Sequence, residues 1–134
     1  MVERADAGMT LRFELHVSKP ERSIEFYTNV LGFTLIRAGE EYSELRRDAV
    51  TLGIGLAEGL DEENYFSPEI ETDKKGVGVE IVFEVNDIRR FHEEVKQTGY
   101  PIREDIAYRP HGLTDFRLID PDGYYLRPTS RERE

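Results

Sequence analysis

Apolar and polar residues alternate over residues 11–18, with Leu11, Phe13, Leu15 and Val17 on one face and Arg12, Glu14, His16 and Ser18 on the other. A period of two predicts a strand buried on one side. Pro20 suits a first helical position, and Ile24, Tyr27 and Leu31, flanked by Phe26 and Val30, form an apolar stripe that stops at Gly32. That spacing predicts a helix of about three turns. Residues 33–37, 42–46 and 49–56 then read as short strands, separated by turns at Ala38-Gly39 and Arg47-Asp48. The first half is β-α-β-β-β.

Between residues 57 and 73 lie Glu58, Asp61, Glu62, Glu63, Glu69, Glu71 and Asp73 with no base among them, which reads as an acidic connecting loop. Alternation resumes with Val77, Val79, Ile81, Phe83 and Val85 on one face. A second helix over residues 87–98 is capped by Asn86 or Asp87, turns Ile88, Phe91 and Val95 inward and stops at Gly99. Strands near residues 102–106, 113–119 and 124–128 follow. Val17-Ser18-Lys19 stands 68 residues before Val85-Asn86-Asp87, so the order is an internal repeat. Neither half has enough surface to bury by itself. The expected fold is α+β: two tandem βαβββ modules, residues 11–56 and 76–128, joined by an acidic loop over 57–75 and pairing into a sheet-lined cleft. Residues 1–10 and 129–134 are expected to be flexible.

A chain of 134 residues suits one such unit. Eighteen Lys and Arg against 28 Asp and Glu give a net charge of −10, which repels nucleic acid and anionic membrane surfaces. A small cationic or aromatic compound is the expected partner. The chain has no Cys, which removes disulfides, thiolate nucleophiles and Cys-ligated zinc. No stretch approaches the roughly 18–20 apolar residues of a membrane span, and a cytoplasmic location is expected.

Glu21-Arg22-Ser23-Ile24-Glu25-Phe26-Tyr27 with Val30-Leu31-Gly32-Phe33, then Phe83-Glu84-Val85-Asn86-Asp87, Pro110-His111-Gly112 and Asp120-Pro121-Asp122-Gly123, carry a family likeness. Together they resemble the vicinal oxygen chelate superfamily, which includes glyoxalases, extradiol dioxygenases and bleomycin-resistance proteins. The resemblance implies paired modules, a homodimer and a small molecule held over the sheets. In metal-dependent members, a side chain from the first and last strand of each module holds the ion. The matching places here are Arg12, Gly53, Glu80 and Arg127. Arginine has no lone pair to offer and glycine no side chain, so a single carboxylate remains where a catalytic site uses three or four ligands. No metal and no cofactor are therefore expected. His16 lies four residues beyond Arg12, roughly 13 Å along a strand, and does not replace it. His111 with Glu80 and Glu84 is the alternative ligand set.

The polar strand faces make Arg12, Glu14, His16, Gly53, Glu80, Glu84, Tyr125 and Arg127 the candidate ligand-binding residues. Arg12 and Glu80 are expected to pair across the cleft, with Arg127 sharing the carboxylate. Tyr65 and Phe66 are candidates for an aromatic rim, while Tyr27, Phe116 and His92 read as core or core edge. The function expected is metal-free binding of a small molecule, similar to the bleomycin-resistance type. The alternative is a lyase, isomerase or dioxygenase of the same superfamily, with Glu14 and Glu84 or with Glu80, Glu84 and His16 moving protons.

Overall fold

The computed structural model describes residues 8–66, 70, 72, 74–110 and 112–131. Strand β1 (Phe13–Val17) leads into helix α1 (Pro20–Glu25), which widens into a π-helical turn over Phe26–Val30. The widening is visible in the bond from Leu31 N–H to the Phe26 carbonyl at 3.3 Å, one residue longer than the α-helical reach. Three strands follow: β2 (Thr34–Arg37), β3 (Tyr42–Arg47) and β4 (Val50–Leu56). The second half repeats the order with β5 (Ile81–Glu84), α2 (Ile88–Gln97), β6 (Glu104–Arg109), β7 (Leu113–Ile119) and β8 (Tyr125–Arg131).

The two halves form two four-stranded sheets of matching topology, β1-β4-β3-β2 and β5-β8-β7-β6. In each, the first strand lies parallel to the last and the other pairs are antiparallel. A parallel neighbour requires a crossover, and the helix after each first strand supplies part of it. The expected tandem βαβββ architecture is therefore present.

One apolar cluster joins both modules, with Leu15, Val17, Tyr27, Leu52 and Ile54 from the first and Phe83, Val95, Phe116 and Leu126 from the second. Phe83 bridges them, its ring 6.0 Å from Phe13 and 5.9 Å from Phe33. Buried Tyr27 donates its hydroxyl to Asp120 at 2.7 Å, tying the π-helical turn to the β7–β8 turn. Burial and the Asp120 charge raise the Tyr27 phenol well above its usual range. In that turn the Asp120 carboxylate also accepts from the N–H groups of Asp122 and Tyr124, and Gly123 takes φ +105°, which glycine adopts without a Cβ penalty. Tyr27, Phe116 and His92 are buried as expected, His92 bonding Asp105 at 2.8 Å.

Three expectations need correction. The alternation at Val77 and Val79 is not strand: both are exposed, at 80% and 59%, and β5 begins only at Ile81. Residues 74–79 instead turn, with Gly76 and Gly78 at positive φ and Val79 N–H bonded to the Gly76 carbonyl. The polar tail is not frayed at Thr129 and Ser130, because β8 continues to Arg131 and buries both; the Thr129 hydroxyl donates to the Thr114 carbonyl at 2.9 Å. Leu11 lies before β1 and is 83% exposed, so the apolar face starts at Phe13. Residues 1–7 and 132–134, and His111, lie outside the described residues.

Candidate functional site

On the first sheet, register places Glu14 opposite Gly53 and His16 opposite Gly55, while on the other side of β4 Tyr42 faces Gly55 and Glu44 faces Gly53. With two glycines in the middle strand, side chains from its neighbours reach across it. The Tyr42 ring covers Gly53: a Cβ there would come within 2.8 Å of Cζ and closer still to the hydroxyl. That hydroxyl accepts from Arg12 Nη2 at 2.6 Å and donates to Glu14 Oε2 at 2.8 Å, while Arg12 also pairs with Glu14 at 3.1 Å. Partial burial and the Glu14 bond raise the Tyr42 phenol, so it stays a neutral donor at physiological pH. His16 lies along Gly55 with its ring centre 5.6 Å from Phe66, and its buried Nδ1 has no hydrogen-bond partner among the described residues. Above this floor is a cavity of about 640 Å³, bounded by Glu14, His16, Tyr65, Phe66 and Tyr124 and closed on one side by residues 74–77.

The second sheet carries a denser ion network. Asp115, with no exposed side-chain surface, accepts from Arg109 at 2.9 Å, Arg127 at 3.2 Å and Arg117 at 3.5 Å. Burial alone would raise the Asp115 carboxyl, but the three guanidinium groups outweigh it and hold the group below its ordinary value. Arg127 also grips Glu80 at 3.1 Å, and Arg117 approaches Glu80 at 3.8 Å while donating to the Tyr125 hydroxyl at 3.4 Å. A second cavity, about 800 Å³, lies over this face between Glu80, Arg103, Ile119, Tyr125 and the turn at 74–79.

Residues 74–77 line both cavities and so form the partition between them. The partition is anchored by Lys75, whose Nζ lies 2.6 Å from Asp122 Oδ2, with 8% and 2% of the two side chains exposed. Asp122 Oδ1 also accepts from Ser18 N–H, the Ser18 hydroxyl and Arg22. Burial opposes the charge, yet these donors keep the Asp122 carboxyl below its usual range.

The structure thus brings Arg12, Glu14 and Gly53 together around Tyr42, sets His16 beside them, and groups Glu80, Tyr125 and Arg127 on the other sheet. It does not join the two groups. Arg12 pairs with Glu14 and Tyr42 rather than Glu80, because each charged residue finds a partner within its own sheet. The single trough expected between the modules is two cavities, and Glu84 lines neither; it borders a third with Leu113, Thr129 and Ser130. Glu14 and Glu84 are therefore not brought together as an acid/base pair. Asp115 and Arg117 were not anticipated, although their spacing of two on β7 matches that of Tyr125 and Arg127 on β8 and signals a shared face.

The four places that would hold a metal do not fit one. Two are guanidinium groups, the side-chain space of Gly53 is filled by a phenol, and Glu80 is already engaged by Arg127 and Arg117. Among the described residues no three His, Asp or Glu side chains are grouped to bind an ion.

Comparison with known proteins fits this architecture. The family model described as Glyoxalase/Bleomycin resistance protein/Dioxygenase superfamily matches residues 10–127. A lactoylglutathione lyase of Neisseria meningitidis serogroup A is 32% identical over 122 residues, covering 84% of this chain and 83% of that protein. One from Salmonella typhimurium is 30% identical over 115 residues, covering 84% of each. Among solved structures, TioX from Micromonospora sp. ML1 superposes with a TM-score of 0.75 at 19% identity, covering 92% of this chain and 99% of that one. A glyoxalase/bleomycin resistance protein/dioxygenase from Nocardioides gives 0.74 at 19% identity, covering 98% and 92%. At these identities the structural likeness concerns the fold.

Proposed function

Because the chain belongs to the glyoxalase/bleomycin resistance protein/dioxygenase superfamily, yet keeps only one donor, Glu80, at the four metal-binding places, we propose that it binds a small organic molecule without a metal ion. The observation that carries this reading is the Tyr42 phenol lying over Gly53 and bonded to Arg12 and Glu14. A side chain and two charges occupy the ground where an ion and its donors would otherwise sit. The open faces beside them offer apolar and aromatic walls with a few placed polar groups, the usual make-up of a ligand pocket. The form of binding in this reading is sequestration without chemistry, in the manner of bleomycin-resistance proteins. The reading includes a homodimer, the assembly that the superfamily implies, and light scattering of the purified chain tests it.

The relatives named lactoylglutathione lyase favour a second reading, an enzyme of that class. One experiment separates the two. The chain is purified without chelators, its metal content is measured, and lactoylglutathione lyase activity is assayed with and without added Ni²⁺, Zn²⁺ and Mn²⁺. Substoichiometric metal and no metal-stimulated turnover are expected; a stoichiometric ion with turnover that a chelator abolishes overturns the proposal. A thermal-shift screen then identifies ligands, since a compound at about 100 times its Kd stabilises the folded chain by about 2.7 kcal/mol.

A further inference from the structure

The whole chain is strongly acidic, which by itself suggests a cationic ligand. The cavity over the second sheet has the opposite local charge. Four charged side chains face it: Lys74, Lys75, Glu80 and Arg103. Glu80 is neutralised by Arg127 at 3.1 Å and approached by Arg117 at 3.8 Å. Lys75 is committed to buried Asp122 at 2.6 Å. Lys74 and Arg103 remain, and neither side chain has an acceptor among the described residues. Arg103 is held at the cavity edge by its backbone, whose N–H donates to the Arg117 carbonyl at 2.7 Å. Among the described residues, the uncompensated charge of this cavity is therefore positive, on a chain of net charge −10.

Its walls are apolar. Val77 and Val79 project from the turn with 80% and 59% exposure, Ile119 lies at the end of β7, and the Tyr125 ring stands beside them. The Tyr125 hydroxyl already accepts from Arg117 at 3.4 Å, so its own proton is available to donate outward. A volume of about 800 Å³ is within the range that encloses a small organic ligand.

We propose that this cavity takes a small aromatic carboxylate, its ring against Val77, Val79 and Tyr125 and its charge between Lys74 and Arg103. Carboxylate geometry matches the fork of a guanidinium, which offers two parallel N–H donors, and Lys74 supplies a second charge with less directional demand. Among the described residues of this wall, a cationic ligand would meet the two bases and find no free carboxylate. The inference rests on the metal-free reading above and gives that reading a ligand class.

The test uses the full chain and three probes of one shape: 1-naphthoate, neutral 1-naphthylmethanol and cationic 1-naphthylmethylammonium. Their affinities are measured by calorimetry in low salt for the wild type, Lys74→Gln, Arg103→Gln and the double variant, with circular dichroism to confirm folding. Lys96→Gln, on α2 and away from the cavity, is the control. Naphthoate is expected to bind most tightly. Because both bases are exposed, each single variant weakens it about threefold and the double variant about tenfold. Neutral-probe affinity and the control stay unchanged. Equal affinity for all three probes overturns the proposal, as does a preference for naphthoate that survives in the double variant. Failure to bind any probe, in a chain that purifies without metal, overturns the carboxylate site alone. A stoichiometric metal with dependent turnover overturns the metal-free reading instead.

Discussion

Gly53→Ala adds one methyl group in the middle of the first sheet. The new carbon would stand 2.8 and 2.9 Å from Cζ and Cε1 of Tyr42, so the ring must swing aside. Doing so breaks the phenol's bonds to Arg12 at 2.6 Å and Glu14 at 2.8 Å. Both partners are about half exposed and rehydrate, so that loss is small beside the steric cost. Forcing the ring against its neighbours costs about 1–3 kcal/mol. Against this, alanine narrows the unfolded ensemble and stabilises by about 0.4–1 kcal/mol wherever the backbone accepts it. The sum is a destabilisation of about 1–2 kcal/mol. In a Tyr42→Ala background the obstruction is gone and only the alanine gain is left, so the same substitution changes sign. Urea unfolding of the four proteins reads this directly, with an expected coupling of about 2 kcal/mol. An equal effect of Gly53→Ala in both backgrounds refutes the claim that Tyr42 occupies the Gly53 side-chain space.

Asp122→Ala leaves the almost buried Lys75 ammonium without its partner and is expected to cost about 3–5 kcal/mol by urea unfolding, while Lys75→Met combined with Asp122→Leu costs less than Asp122→Ala alone. A double-mutant cycle between Glu80 and Arg127 is expected to give a coupling of about 0.5 kcal/mol, and one between Arg12 and Glu80 none, since those two do not touch. Asp115 and Asp122 have folded values depressed by their cationic partners, so the stability they add is present above the unfolded carboxylate value of about 3.9 and is lost as pH falls through the folded value. Asp120 behaves in the opposite sense: burial raises its carboxyl, so its contribution is present below the unfolded value and lost as pH rises through the folded one. Urea midpoints between pH 3 and 7 are therefore expected to vary less in Asp115→Asn and more in Asp120→Asn than in the wild type.

Period-two alternation made the strands readable wherever one face of a sheet is buried, and β7 begins and ends where the pattern says. The same signal misleads at Val77 and Val79, because alternation reports two faces and not what covers them. There the chain is held by Lys75 reaching Asp122, 47 residues away, and by glycines at positive φ, neither of which a local pattern reveals. Thr129 and Ser130 were misread for the converse reason: polar residues are buried without penalty when a backbone carbonyl accepts the hydroxyl, as the Thr114 carbonyl does for Thr129. Counting along the repeat located Arg12, Gly53, Glu80 and Arg127 but not their partners, since pairing depends on which neighbours are large enough to cross a strand. Gly53 and Tyr42 are two halves of one arrangement, the missing side chain on β4 and the ring from β3 that fills its space. Restoring a carboxylate with Gly53→Glu therefore drives it into the Tyr42 ring, and even with Tyr42 shortened it would face the guanidinium of Arg12 rather than a cation's other donors. The metal-binding places are thus altered as a set, and no single substitution returns them to a ligand set.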